Sequence, residues 1–285
     1  MRQIGEIAAS IEVHAAPCCG TIAAMPKSAL PSSVPAVGWA QPWFAPLAAW
    51  GAPALAAWQA GGSVADALNA LPPGPADGAA PVHFVAQQCL PEGCAYEQFI
   101  AEQRQVPTRD NPHDFFNGLI WHAFPRTKTR MNVLQAAEIA RDGVQAQRGP
   151  VRDAITVLDE NGALLSAPEP LWAALAERRW TDAFGALRPL WANTHLWLLG
   201  HAALEKLLNP YKSITVHMLP APPGLAQRAD ADAWLAGHLS AERLRPKPFA
   251  PLPVLGVPGW WAANAAPAFY DDASVFRPLR VVAAP

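Results

Sequence analysis

The stretch NPHDFFNGLIWHAFP, residues 111–125, contains a helix start, an apolar face and a helix stop in immediate succession. Asn111 has the side chain of a good N-cap, and Pro112 is favoured at the first helical position, where its missing N–H costs nothing. Phe115, Phe116, Leu119, Ile120 and Ala123 recur at helical spacing and predict the buried face. Phe124-Pro125 ends the helix. His113 and Asn117, four residues apart, share one face, with Trp121 one turn further on.

Working outward, Val82 to Ala86 reads as a short buried strand, Tyr96 to Glu102 as a helix, and Thr127 to Val144 as a further helix. Ala154, Ile155, Val157 and Leu158 precede Asn161-Gly162, and Ala163, Leu164 and Leu165 follow it. Asn-Gly between apolar runs is a strong hairpin signal, so Asp159 to Gly162 is expected to be the turn. Helices are expected at Glu169–Glu177, Thr181–Trp191 and His201–Leu208, and strands at His195–Leu199 and Ser213–Met218. The class is α+β: several helices packed on a small sheet that includes a hairpin, with a Pro-rich C-terminal tail. A poorly ordered leader is expected over residues 1–35, with Met25 an alternative start to Met1. A globular domain follows over residues 36–222. A tail rich in Pro, Ala and Trp is expected to wrap it over residues 223–285, with one helix near Asp230–Leu239. Leu71 to Pro81 reads as a Pro/Gly linker.

The chain has 285 residues, 51% of them hydrophobic, enough for one sizeable core. Its formal net charge of −2 argues against a dedicated nucleic-acid binder, which carries a basic excess. No run approaches the roughly 20 apolar residues of a membrane span. Glu6 and Glu12 interrupt a start that lacks a basic segment followed by an apolar one, so a cytoplasmic location is expected. The Cys89–Cys94 spacing lies at the edge of what zinc sites use, but no second Cys pair or closely spaced His pair follows, so Cys18, Cys19, Cys89 and Cys94 read as bystander thiols.

A series of motifs from Tyr96 onward resembles a known bacterial family. It comprises Tyr96-Glu97, the run Pro107 to Asn117, Phe124 to Lys128 with Asn132, Arg148-Gly149, and Arg152 to Thr156 leading into Asp159 to Gly162. Gly200-His201-Ala202, Glu205-Lys206-Leu207, and Thr215 with His217 complete it. In this order they are similar to the family called domain of unknown function three-zero-two-five, over roughly Trp39 to His217. The resemblance implies no activity.

The residues themselves suggest two readings. In the first, the protein is a metal-assisted hydrolase of a phosphorylated or other anionic substrate. His113, Asp114, Asn117 and Asp153 form the catalytic set. Arg109, Lys128, Arg152 and Trp121 bind substrate. His201, Glu205 and His217 hold a divalent metal, with His113 and Asp153 as further candidate ligands. Imidazole and carboxylate four apart on a helix suit a shared metal, and Arg forks suit phosphate or carboxylate. In the second, a non-catalytic module binds a small anion or a protein, and the His, Asn and Asp side chains form a structural polar network. Asp114 then serves the positive end of its helix, and Glu205 pairs with a neighbouring Arg.

Overall fold

Residues 34–72, 81–143 and 147–279 are described by the structure, a computed structural model. Most of the expected leader, with Cys18, Cys19 and the choice between Met1 and Met25, lies outside the described residues, as does most of the Leu71–Pro81 linker.

In chain order, α1 (Ala48–Gln59) and α2 (Val64–Asn69) precede β1 (His83–Ala86), α3 (Tyr96–Gln103) and β2 (Gln105–Thr108). Three helices follow: α4 (Pro112–Ala123), α5 (Pro125–Asp142) and α6 (Pro150–Asn161). Then come β3 (Gly162–Ser166), α7 (Glu169–Ala176), β4 (His195–Leu198), α8 (His201–Lys206) and β5 (Thr215–Ala221). The chain closes with α9 (Arg228–His238), α10 (Ala241–Leu244) and β6 (Ala250–Pro253). The class is α+β.

At the centre is α4. The Asn111 side chain accepts the Asp114 N–H at 2.8 Å, as an N-cap should. Phe115, Phe116, Leu119, Ile120 and Ala123 are fully buried, at the positions the spacing predicts. Gly118 faces α2 so closely that a Cβ would lie 2.1 Å from Leu68 Cδ1. Two helices can cross at that distance only over a glycine.

Strands β4, β3, β5 and β6 form one sheet in that order, with β3 parallel to β5 and the outer pairs antiparallel. Separately, β1 and β2 form a parallel pair. Every residue of β3 is buried, whereas β5 alternates over Thr215, Val216, His217 and Met218.

Three expectations are corrected. Asn161-Gly162 makes no hairpin turn: α6 runs through Asn161 and passes directly into β3. Pro150 at the helix start and Val151, Ala154, Ile155 and Leu158, all fully buried at helical spacing, outweigh the local turn preference. The expected Thr181–Trp191 helix is a π turn at Asp182–Ala186 followed by a 3-10 stretch at Arg188–Asn193. Pro189, which has no N–H to donate, prevents a continuous α-helix there.

The chain after Pro222 supplies the helix expected near Asp230–Leu239 as α9, but in place of an extended surface wrap it adds the edge strand β6 and buries Leu235, Leu252, Val254 and Leu255 in the core. Asp232 on α9, almost fully buried, accepts the Arg126 N–H at 3.1 Å and the Thr127 N–H at 2.8 Å. It thereby caps α5, which lacks a capping side chain of its own.

Candidate functional site

Helices α3, α4, α5, α6 and α8 contribute to a cavity of about 310 Å³ whose wall includes His113, Asn117, Lys128, Asp159, Glu160 and His201. His113 opens α4 and His201 opens α8, 88 residues later. Their Nε2 atoms face each other at 3.0 Å, with ring centroids 4.4 Å apart and the planes nearly perpendicular. The Glu160 carboxylate, on the last turn of α6, lies 3.6 Å from His201 Nε2 and 4.0 Å from His113 Nε2.

Gly200 brings these three residues together. A Cβ there would sit 2.5 Å from Asn161 Cα and 2.6 Å from Gly162 N. The Leu199 and Gly200 N–H groups both donate to Gly162 O, at 3.0 and 2.9 Å. The backbone entering α8 therefore rests directly on the junction of α6 and β3, which puts His201 beside Asp159 and Glu160.

Behind His113, its Nδ1–H donates to Glu205 Oε2 at 2.9 Å. His201 and Glu205, one turn apart on α8, thus grip opposite nitrogens of the same imidazole. With Nδ1 protonated toward a carboxylate, a neutral His113 presents its Nε2 lone pair to the cavity. Burial pushes the His201 imidazole down to about 4, so this side chain is uncharged at neutral pH. Its buried Nδ1 lies 3.8 Å from Asp159 Oδ1. Burial raises the Glu160 carboxyl, and nearby Asp159 adds to that, while the Lys128 ammonium opposes it.

The ligand atoms of His113, Glu160 and His201 all lie within 4.8 Å of one another. Two ligands on a tetrahedral ion with bonds near 2.0–2.1 Å stand about 3.3 Å apart, and the three separations found here bracket that length. Two imidazoles and one carboxylate form a donor set suited to zinc or a similar divalent ion, with further positions free for water.

Beside this cluster runs a chain of polar contacts. The Lys128 ammonium donates to Asp159 Oδ1 at 2.5 Å and to Asn117 Oδ1 at 2.8 Å, and lies 5.3 Å from the centre of the Trp121 ring. The Asn117 amide donates to the Tyr96 hydroxyl at 3.3 Å. Burial of Asp159 would raise its carboxyl, but the Lys128 ammonium, by its charge and its hydrogen bond, outweighs this and holds it below the ordinary range. Burial, with Asp114 and Asp159 nearby, pushes the Tyr96 hydroxyl well up. Arg109 closes on Asp114 through its backbone N–H at 2.6 Å and its guanidinium at 2.9 and 3.0 Å.

Of the residues singled out from sequence, His113, Asp114, Asn117, Arg109, Lys128, Trp121 and His201 meet in this cavity. Glu205 stands behind His113 instead of joining His201 as a ligand. His217 is elsewhere: it sits in the sheet between Gly162 and Pro251, with its ring against Phe249. Asp153 is paired with Lys247 on the surface. Arg152 lines a separate cavity beside Glu138 and Gln147. Asp159 and Glu160, which the hairpin reading set aside as turn residues, are central. Their signal was present in the helical spacing of Val151, Ala154, Ile155 and Leu158, which places Thr156, Asp159 and Glu160 together on the other face.

A family model described as "Protein of unknown function (DUF3025)" matches residues 82–280. No curated protein and no solved structure matches the chain.

Proposed function

Because the chain belongs to the DUF3025 family, whose description assigns no activity, we propose from the site alone that the protein is a metal-assisted hydrolase of a phosphorylated or other anionic substrate. The observation that carries this reading is the convergence of His113 Nε2, His201 Nε2 and the Glu160 carboxylate at the cavity, with Glu205 fixing the His113 ring from behind. Metal-binding histidines usually donate their other ring N–H to a carboxylate or carbonyl in this way.

A divalent ion held by His113, His201 and Glu160 would lower the pKa of a bound water toward neutrality and so supply a nucleophile for an electrophilic phosphorus or carbonyl carbon, the displaced oxygen leaving with a proton from solvent. The side chains of His113 and Glu160, each about one-third exposed, keep the site open to that solvent. Lys128 lies beside the candidate ligands, with its ammonium held by Asp159 and Asn117.

The test is calorimetric titration of chelator-stripped protein with zinc and manganese, followed by hydrolysis of a panel of phosphate and carboxylic esters. One ion per chain is expected, with affinity lowered at least about 100-fold in His201→Ala and in Glu160→Gln, since each loses a direct ligand. Failure of the wild-type protein to bind either metal, or ester hydrolysis indifferent to metal, overturns the reading.

The closed contacts of Arg109 with Asp114 and of Lys128 with Asp159 favour the second reading, a non-catalytic module with a structural polar network. Under it, Lys128→Met unfolds the protein while metal has no effect on stability.

A further inference from the structure

The cavity's charges are nearly spent on one another. Arg109 is closed bidentately onto Asp114, and Lys128 is in contact with Asp159. That leaves Arg148 as the cation of the wall with no ion pair among the described residues, facing two further acids, Glu97 and Glu160. With both imidazoles neutral the lining carries a formal excess of one negative charge, and a bare anion meets repulsion there. A divalent ion on His113, His201 and Glu160 reverses the sign and leaves an excess of one positive charge.

We propose that anion binding in this cavity requires the divalent ion, and that the bound anion bridges that ion and the Arg148 guanidinium. The proposal rests on the metal reading above and adds an order of binding and a specificity-determining residue. Arg148 lies just before Gly149, which precedes α6, and its side chain is exposed at the cavity. It is thus free to reach an incoming oxyanion with the paired donors that match phosphate or carboxylate. An ammonium in its place would act only as a point charge. Because coupling between two ligands is reciprocal, the anion must tighten the metal by the same factor as the metal tightens the anion.

The experiment uses the full chain and inorganic phosphate as the anion. Phosphate is titrated into chelator-stripped protein and into protein loaded with one equivalent of manganese, and manganese is titrated with and without phosphate. The stripped protein is expected to show no phosphate binding at millimolar concentration, and the loaded protein to bind it at least tenfold more tightly. Arg148→Gln should weaken phosphate on the loaded protein about tenfold while leaving manganese affinity within twofold. Arg148→Lys should recover only part of the loss.

Equal phosphate affinity with and without manganese, or an Arg148→Gln variant that binds phosphate like the wild type, overturns this proposal and leaves the metal reading intact. Absence of manganese binding overturns this proposal, and absence of zinc binding as well overturns the metal reading with it.

Discussion

His201 is buried against Asp159, Glu160 and His113, and its imidazole is held down to about 4 by that burial, against an ordinary value of 6.5. Above pH 7 neither folded nor unfolded chain protonates this group, so it adds no pH dependence. As pH falls from 6.5 to 4 the unfolded chain takes up a proton that the folded one refuses, and stability falls. Below 4 both forms are protonated and the loss levels off. At about 1.4 kcal/mol per pH unit the total is roughly 3 kcal/mol. Urea midpoints of metal-free protein should therefore drop between pH 6.5 and 4, and His201→Gln should show a shallower drop. Parallel slopes for the two proteins would show that His201 is not the acid-sensitive group.

Glu205 allows a second test at the same scale. It is partly exposed and holds His113 by Nδ1, the ring nitrogen away from the cavity, so Glu205→Gln should leave the fold intact. It should still weaken metal binding about 10- to 100-fold, because the His113 ring loses the carboxylate that orients it and raises its basicity. Unchanged metal affinity in this variant would show that the His113–Glu205 contact is incidental.

At the scale of elements, the site exists because α8 starts on top of the α6–β3 junction. Gly200→Ala would drive a methyl group into the backbone of Asn161 and Gly162. The backbone has to shift, at a cost of about 2 kcal/mol or more, and His201 shifts with it. Thermal denaturation should report the lost stability, and metal titration should report a loss of affinity larger than at glycines away from the site. Gly185, where a Cβ would meet nothing within 4 Å, supplies the control as Gly185→Ala.

The elements also show where local signals reach. Helix α4 was legible to the residue, since cap, N1 proline and apolar period all act within a few positions. The whole of helix α6 departs from the hairpin that its local sequence predicts, an apolar arm over Ala154–Leu158 followed by a turn at Asp159–Gly162. Asn161-Gly162 carries a real turn preference, and only burial of Leu158 and Ala154 against the rest of the core makes the helix win. That misreading hid Asp159 and Glu160. Strand β5 was read with the right alternation, but the neighbour on His217's side is Phe249, brought there by the chain that leads into β6. No periodicity within β5 contains that information.

Across the whole molecule, the C-terminal chain is coupled to the cavity. Asp232 on α9 caps the first turn of α5, the turn from which Lys128 reaches Asp159 and Asn117. Asp232→Ala leaves the buried Thr127 N–H and the half-buried Arg126 N–H without their charged acceptor, at a cost of about 3 kcal/mol. It should lower the denaturation midpoint and, in the surviving folded protein, weaken binding in the cavity. Full stability in Asp232→Ala would mean that the cap is dispensable and the tail independent of the site.

Helix starts, buried faces and the α+β class could be read from the chain alone, because capping, proline placement and hydrophobic period are contacts between near neighbours. The list of chemically able side chains was available for the same reason: His113, Asn117, Lys128 and His201 stand out by type and spacing. Their meeting could not be read that way. His113 and His201 are separated by 88 residues and joined by the close approach of Gly200 to Gly162, and Glu160 takes the place expected of Glu205 because residues 150–161 form one helix where the local sequence suggests a hairpin arm and turn. Such partners are selected by which surfaces bury together, an energy that belongs to the packed core and to no single segment.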